Sequence, residues 1–212
     1  MKTKVFLVRH GETEWNKLGK FQGCQDIALS QEGIVQAQYL SKKFSDNFDY
    51  IYTSPLKRSL QTAQVIAINK EIKPTIINEL REINFGEWEG LTLKEILDNF
   101  PKEFNIWKND KFEAPICGGD LSLKNACKRA KTAITEIVAK HRGKKILIVA
   151  HGGIIKAGLL GLFELDMTMY HKINLGNTAI CEIDFDIELN PAIVKINDTS
   201  HLPDDYIISS YV

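Results

Sequence analysis

The sequence has no long hydrophobic run. No stretch approaches the roughly 18 apolar residues that a membrane-spanning helix needs, and residues 1–8 lack the apolar core of a signal peptide. We therefore expect a cytoplasmic protein with no membrane partner. Internal repeats, low-complexity tracts and an obvious linker are also missing, so we expect a single domain over residues 1–212.

An excess of charge of either sign is also missing. Lys and Arg together number 27, Asp and Glu together number 27, and the formal net charge is +0. This balance argues against a nucleic-acid partner attracted by bulk positive charge, but it is compatible with a small cationic pocket. The four cysteines show no C-x-x-C spacing, so we expect free thiols and neither a zinc site nor a redox motif.

Two signatures of cofactor binding are missing as well. The sequence contains no glycine-rich nucleotide loop and no carboxylate–histidine cluster with the spacing of metal ligands. We therefore expect no metal and no other cofactor. The sequence leaves the oligomeric state open.

Two apolar runs are present, and both end in the same pair of residues. VFLV at 5–8 is followed by Arg9, His10 and Gly11, and ILIVA at 146–150 is followed by His151 and Gly152. Both runs are typical of strands buried on two faces. If the strands are parallel, the two histidines emerge at one edge of the sheet, which is where open α/β sheets bind ligands.

The rest of the chain alternates predicted helices with predicted strands. Helix starts are expected after Ser30, at Ser54 with Pro55, and at Thr92, and helix ends at Pro101 and Gly143. This alternation predicts an α/β fold with a largely parallel sheet and helices on both of its faces. The predicted helices include 31–44, 123–142 and 153–163, and the further strands are 49–53, 75–77, 179–185 and 192–197, the last two forming an edge hairpin.

The segment 101–121 has no clean periodicity. It carries three aromatic residues and the pair Gly118 and Gly119. We expect a partly helical excursion from the domain that acts as a lid or sets specificity.

Three motifs together resemble the histidine phosphatase superfamily, also called phosphoglycerate mutase-like. They are LVRHGET at 7–13, TSPLKRSLQTA at 53–63 and AHG at 150–152. The resemblance runs from residue 5 to about residue 162. It implies a three-layer αβα sandwich, a metal-independent phosphomonoesterase, and a covalent phosphohistidine formed from a small phosphorylated metabolite.

The resemblance also implies roles for the residues of these motifs. His10 would be the nucleophile, and His151 would stabilise the charge of the transferring phosphoryl group. Arg9 and Arg58 would clamp that group, because the planar guanidinium makes paired hydrogen bonds to phosphate oxygens. A neutral His10 ring has a lone pair at one nitrogen, and an acceptor for the N–H of the other nitrogen would fix that tautomer.

A leaving alkoxide needs a proton, and Glu82 matches the family position of the general acid. The residues alone give its neighbours a similar chance, so three rivals stay open: Glu79, Glu87 and Glu89. The resemblance implies that the phosphoryl group or the substrate is further contacted by Asn16, Gln22, Gly23 and Gly152. The remaining histidines have no such context and are expected to be surface or structural groups: His141, His171 and His201.

Several functions are compatible with these motifs. A phosphatase is favoured over a 2,3-bisphosphoglycerate-dependent phosphoglycerate mutase, because the basic residues after Glu82 alternate with acids as on a solvated face. An α-ribazole phosphatase and a catalytically idle binding module are further alternatives. The basic residues after Glu82 that count against a mutase are Lys94, Lys102, Lys108 and Lys111.

Overall fold

A six-stranded mixed sheet forms the centre of the protein. The computed structural model describes residues 2–44, 48–68, 70–203 and 206. The strand order is β3-β2-β4-β1-β5-β6, in which β1 to β4 are parallel, while β5 is antiparallel to β1 and β6 to β5. The strands are β1 Thr3–Arg9, β2 Tyr50–Thr53, β3 Thr75–Ile76, β4 Lys145–Ala150, β5 Ile180–Phe185 and β6 Pro191–Asp198.

Seven α-helices accompany the strands in the described residues. They are α1 Glu14–Lys17, α2 Gln31–Lys43, α3 Lys57–Ala67, α4 Leu93–Asn99, α5 Pro101–Asn109, α6 Leu123–Lys140 and α7 Gly152–Phe163. Short 3₁₀ turns lie at Asn78–Leu80, Gly86–Trp88 and Met167–Lys172. The predicted largely parallel sheet and the edge hairpin of β5 and β6 are confirmed.

Helices cover both faces of the sheet because successive side chains of a strand point to opposite sides. On one face, Val8 and Val149 pack in a core with Leu40 of α2 and Ile66 of α3. The other face holds a larger core, built by α6 and α7 against the alternate residues of the same strands. This arrangement is the predicted three-layer αβα sandwich.

Two helix boundaries differ from the prediction. Ser54 was expected to cap the helix that follows it, but α3 begins at Lys57 after Leu56, which makes no side-chain cap. The hydroxyl of Ser54 instead lies 2.7 Å from Nε2 of His151, so a contact between distant residues outweighs the local capping preference. After α6, Gly143 has a φ of +75°, two residues beyond the C-cap His141 rather than at the cap itself.

The predicted start at Thr92 and end before Pro101 are confirmed. The hydroxyl of Thr92 accepts a hydrogen bond from the N–H of Glu95, and the Glu95 carboxylate accepts one from the N–H of Thr92. Pro101 then occupies the first turn of α5, where its missing N–H costs nothing.

The segment 101–121 is partly helical, as expected. Its helix α5 carries the buried Trp107, whose ring packs edge-on against Phe85 and Trp88 at centroid distances of 6.2 and 5.3 Å. The aromatic residues therefore anchor α5 to the loop that follows β3. A role of this segment as a lid stays a prediction.

The four cysteines are free thiols, as predicted. None of the helices in the described part of the chain combines the length and the apolar character needed to cross a membrane.

Candidate active site

The two predicted histidines meet at the carboxyl ends of adjacent strands. Arg9 of β1 pairs with Ala150 of β4, and the N–H of His10 donates to the carbonyl of Ala150 at 2.9 Å. The register of these parallel strands therefore places the residues that follow them side by side. The rings of His10 and His151 lie 5.2 Å apart between centroids, at an angle of 61°.

His10 is held as a buried, neutral ring whose lone pair lies on Nε2. Its Nδ1 lies 2.6 Å from the carbonyl oxygen of Gly11, and because that oxygen can only accept, Nδ1 carries the proton. Nε2 is then an acceptor, and Nε of Arg58 donates to it at 3.2 Å. Burial, followed by the charges of Arg58 and Arg9, lowers the pKa of His10 well below its usual value. The ring thus has the protonation state that a nucleophile needs.

Two buried arginines flank this ring. Arg58 lies in the first turn of α3, and its Nη atoms donate to the carbonyls of Gln25 and Gly23 at 2.7 and 2.8 Å. Arg9 donates from Nη1 to the carbonyl of Leu175 at 2.5 Å. Burial lowers the pKa of each guanidinium to about 10, so both remain cations at neutral pH. The backbone carbonyls fix the two cations without neutralising them.

His151 is fully buried between the strand end and α7. Its Nε2 contacts the hydroxyl of Ser54, and its Nδ1 has no hydrogen-bond partner among the described residues. Burial, followed by the charge of Arg58, lowers the pKa of His151 well below its usual value. With its proton on Nδ1, the neutral ring could donate from this unpartnered nitrogen to a phosphoryl oxygen beside the nucleophile.

Glu82 is joined to the same site by the start of helix α7. Its Oε1 accepts from the N–H groups of Ile83 and Ile154 at 2.8 and 2.7 Å, and its Oε2 accepts from the N–H of Gly153 at 3.0 Å. The start of α7 therefore fixes the position of both carboxyl oxygens. Gly153 is required there, because a Cβ at this position would lie 2.6 Å from Oε1.

The rival carboxylates lie elsewhere. Glu79 and Glu87 are exposed, and Glu89 folds back on the loop, where it accepts from the N–H groups of Cys24 and Phe85 at 2.8 and 3.2 Å. Among the four, Glu82 alone lines the cavity that contains His10.

That cavity has a volume of about 290 Å³ and takes in most of the predicted residues. Arg9, His10, Arg58 and Glu82 form one end, together with the predicted substrate-binding residues Gln22, Gly23 and Gly152. Gly23 has a φ of +51° and supplies the carbonyl that holds Arg58.

Like His151, Asn16 is a predicted contact that does not line the cavity. Its Oδ1 accepts from the N–H of Thr13 at 3.1 Å and from Nδ2 of Asn177 at 3.2 Å, and Nδ2 of Asn177 also donates to the carbonyl of His10. Asn16 therefore completes the capping box of α1 and supports the backbone of His10 from behind.

The other end of the cavity was missed by the sequence analysis. It is lined by Lys108, Lys156, Tyr170 and His171. Lys108 is exposed, as expected of a solvated face, although it also lines the cavity. One expectation is corrected: His171 lines the site, where burial lowers its pKa to about 4. Of these four, only Lys156 could have been predicted from the local sequence, because it follows Gly153 by three residues and so lies on the same face of the predicted helix.

The other two histidines without motif context are structural, as predicted. His141 stacks on Tyr50 at a centroid distance of 3.6 Å and contacts the hydroxyl of Tyr52. His201 contacts the hydroxyl of Thr178 at 3.0 Å.

A further network, also missed, holds the loop that carries Glu82. Arg129 of α6 donates to the carbonyls of Glu79, Arg81 and Glu82 at 2.7, 2.8 and 3.3 Å. It also pairs with Asp120 at 2.8 Å, and Asp120 in turn accepts from the N–H of Asn84 at 3.1 Å. The ion pair thus ties the end of the 101–121 segment to the backbone on both sides of Glu82.

The part of the chain that the structure describes contains no group of three or more His, Cys, Asp or Glu side chains placed to hold a metal ion.

Comparison with known proteins agrees with this geometry. Residues 5–199 match the profile of the histidine phosphatase superfamily, branch 1. Phosphoserine phosphatase 1 of Hydrogenobacter thermophilus is 32% identical, over 96% of this chain and 96% of that protein. The uncharacterized phosphatase PhoE of Bacillus subtilis is 33% identical, over 94% and 97%.

Among solved structures, the phosphoserine phosphatase of Entamoeba histolytica in complex with 3-phosphoglyceric acid superimposes with a TM-score of 0.88. It is 41% identical to this chain, and the match covers 95% of this chain and 100% of that one. The resemblance first seen in three short motifs thus extends over nearly the whole sequence and fold, and the chain belongs to the histidine phosphatase superfamily.

Proposed function

We propose that this protein hydrolyses phosphomonoesters of small metabolites through a phosphoryl group carried on Nε2 of His10. The observation that carries the proposal is the state of that atom: a neutral ring nitrogen, with its tautomer fixed by Gly11, between the cations of Arg9 and Arg58. The match to phosphatases of the superfamily over most of the chain supports the same conclusion.

In the first half-reaction, Nε2 of His10 attacks the phosphorus, and the N–P bond forms as the ester P–O bond breaks. The ring becomes cationic, and its Nδ1–H remains bonded to the carbonyl of Gly11, which stabilises that charge. Arg9, Arg58 and Nδ1 of His151 would share the charge of the equatorial phosphoryl oxygens.

Glu82 supplies the proton for the leaving oxygen. Oε2 is the better placed of its two oxygens, because it accepts one N–H bond whereas Oε1 accepts two. In the second half-reaction the carboxylate takes a proton from water, the water oxygen bonds to phosphorus, and the N–P bond breaks. His10 and the protonated Glu82 are then restored, with inorganic phosphate as product.

A phosphoglycerate mutase is the second candidate, and one observation favours it. Lys156 and the exposed Lys108 both line the cavity, where they could retain a phosphorylated intermediate. The phosphatase relatives outweigh this observation in our proposal.

A direct comparison separates the two functions. The enzyme, primed with 2,3-bisphosphoglycerate, is given 3-phosphoglycerate, and phosphate release from O-phosphoserine is measured in parallel. We expect phosphate release to be the faster reaction. Formation of 2-phosphoglycerate that outpaces phosphate release from every ester tested would establish the mutase instead.

A cytoplasmic location is part of the proposal and is based on the sequence alone. Cell fractionation with an antibody to the protein tests it, and recovery in a membrane or extracellular fraction would contradict it.

A further inference from the structure

The cavity holds more positive charge than a phosphoryl group needs. Four cationic side chains line it, Arg9, Arg58, Lys108 and Lys156, against the single carboxylate of Glu82. A phosphomonoester dianion between the two arginines leaves both lysines facing one carboxylate. If Glu82 is protonated to serve as the acid, neither lysine has an anionic counterpart in the cavity lining.

Lys156 is the more enclosed of these two lysines. It is half-buried on α7, whereas Lys108 is exposed, and its Nζ lies over the ring of Tyr170 at 4.1 Å from the centroid. Within the described residues, no Asp or Glu oxygen lies within 4 Å of that Nζ. Burial, and then the charge of Arg9, lowers its pKa to about 8, so at neutral pH it is largely a cation without a partner carboxylate.

Aromatic residues wall this end of the cavity. Trp107 lies 5.6 Å from Tyr170 and 4.4 Å from His171 between ring centroids, so the three rings form one continuous surface. The buried Nε1 of Trp107 and Nε2 of His171 have no hydrogen-bond partner among the described residues. Apolar rings exclude water and so strengthen the attraction between Lys156 and an entering anion.

Lys156 lies just under one helical turn beyond the N–H group that holds Glu82. The N–H of Gly153 holds Glu82, and Lys156 follows it by three residues, about 4.5 Å along the helix axis at 1.5 Å per residue. An anion on the leaving group, close to the ester oxygen that Glu82 protonates, would therefore lie within reach of the lysine side chain.

We propose that Lys156 binds a carboxylate on the leaving group and thereby makes the enzyme selective for carboxylate-bearing phosphomonoesters. This inference rests on the proposed function. It assigns Lys156 to specificity rather than to the transfer of the phosphoryl group.

A pair of substrates isolates the carboxylate. O-phosphoserine and O-phosphoethanolamine share the phosphate, the linker and the ammonium group and differ in the carboxylate alone. Lys156→Met removes the charge at similar length, and Lys156→Arg restores a charge. Lys172→Met is the matched control, because Lys172 is exposed on the turn beside His171 and does not line the cavity.

For Lys156→Met we expect kcat/KM for O-phosphoserine to fall about 10- to 100-fold, mainly through KM, as for the loss of a hydrogen bond between charged groups. The kcat/KM for O-phosphoethanolamine should change by less than about twofold, because this substrate has no carboxylate to make that hydrogen bond. Lys156→Arg should recover most of the loss, and Lys172→Met should change neither substrate. Circular dichroism of each variant verifies the fold.

Equal losses on both substrates, or no loss on either, would overturn the assignment of Lys156. Failure of the proposed function has a different signature, namely no phosphate release by the wild-type protein from any ester, aryl phosphates included. In that event calorimetric binding decides: Lys156→Met must still weaken O-phosphoserine and spare O-phosphoethanolamine, and equal affinities would refute the inference.

Discussion

Replacement of Glu82 by Gln separates its chemical role from its structural one. The amide keeps the shape of the carboxyl group, and its oxygen can take the place of Oε1 and accept from Ile83 and Ile154. Its NH₂ group then faces the N–H of Gly153, so one of the three hydrogen bonds is lost. A buried donor left without an acceptor costs about 1–3 kcal/mol of unfolding free energy.

The effect on activity should depend on the leaving group. An alkoxide leaving group needs the proton, so Glu82→Gln should slow alkyl phosphates by about 10²–10⁴-fold. An aryl phosphate departs as a stabilised phenolate, and its rate should fall far less. The assay is kcat/KM over a series of esters of increasing leaving-group pKa, for which the variant should show a steeper decline than the wild-type enzyme.

The control for this experiment is Glu87→Gln, because Glu87 is exposed in the same loop and does not line the cavity. It should leave both the activity and the melting temperature unchanged. If Glu82→Gln slows aryl and alkyl esters equally, Glu82 binds or positions the substrate and another group is the acid. An unchanged alkyl rate would remove Glu82 from the mechanism altogether.

Two further predictions concern positioning and pH. Arg129→Met releases the carbonyls on both sides of Glu82 and should slow the hydrolysis of alkyl esters by up to about 100-fold, more than that of aryl esters. The control Lys128→Met, at an exposed neighbour, should have no such effect. Identical slowing of both ester types by Arg129→Met would contradict this role. Burial lowers the pKa of His151 in the folded state, so below about pH 6.5 the unfolded chain binds a proton that the folded chain does not. The unfolding free energy therefore decreases as the pH is lowered, by up to about 1.4 kcal/mol per pH unit. Denaturant titrations from pH 7 to pH 5 should show a smaller slope in His151→Asn than in the wild-type protein, and equal slopes would contradict the prediction.

Site residues at the strand ends could be predicted from the sequence more readily than those in the loops. Arg9, His10 and His151 could be predicted because two buried strands end in the same residues, and parallel pairing then brings those ends together. Glu82 could be selected from its neighbours only by family resemblance, because its position depends on the N–H groups of α7, a helix about seventy residues further along the chain.

The far end of the cavity could not be predicted for a related reason. Lys108 lies on α5, whereas Tyr170 and His171 lie on the 3₁₀ turn Met167–Lys172, and the two elements meet where Trp107 of α5 packs against both rings. The N-cap predicted at Ser54 was wrong because its hydroxyl contacts His151, ninety-seven residues away in the sequence. Local propensities describe segments, whereas these contacts depend on how the segments pack.

Trapping the phosphoenzyme tests most directly whether Nε2 of His10 carries the phosphoryl group. Rapid mixing with ³²P-labelled O-phosphoserine, a denaturing quench in alkali, and separation of the phosphohistidine isomers after alkaline digestion report where the label resides. We expect an acid-labile, alkali-stable label on His10, bonded through Nε2 because Nδ1 is held by Gly11, and no label in His10→Ala. Label on Nδ1, on a serine or cysteine, or on His10→Ala to the same extent as on the wild-type protein would contradict it.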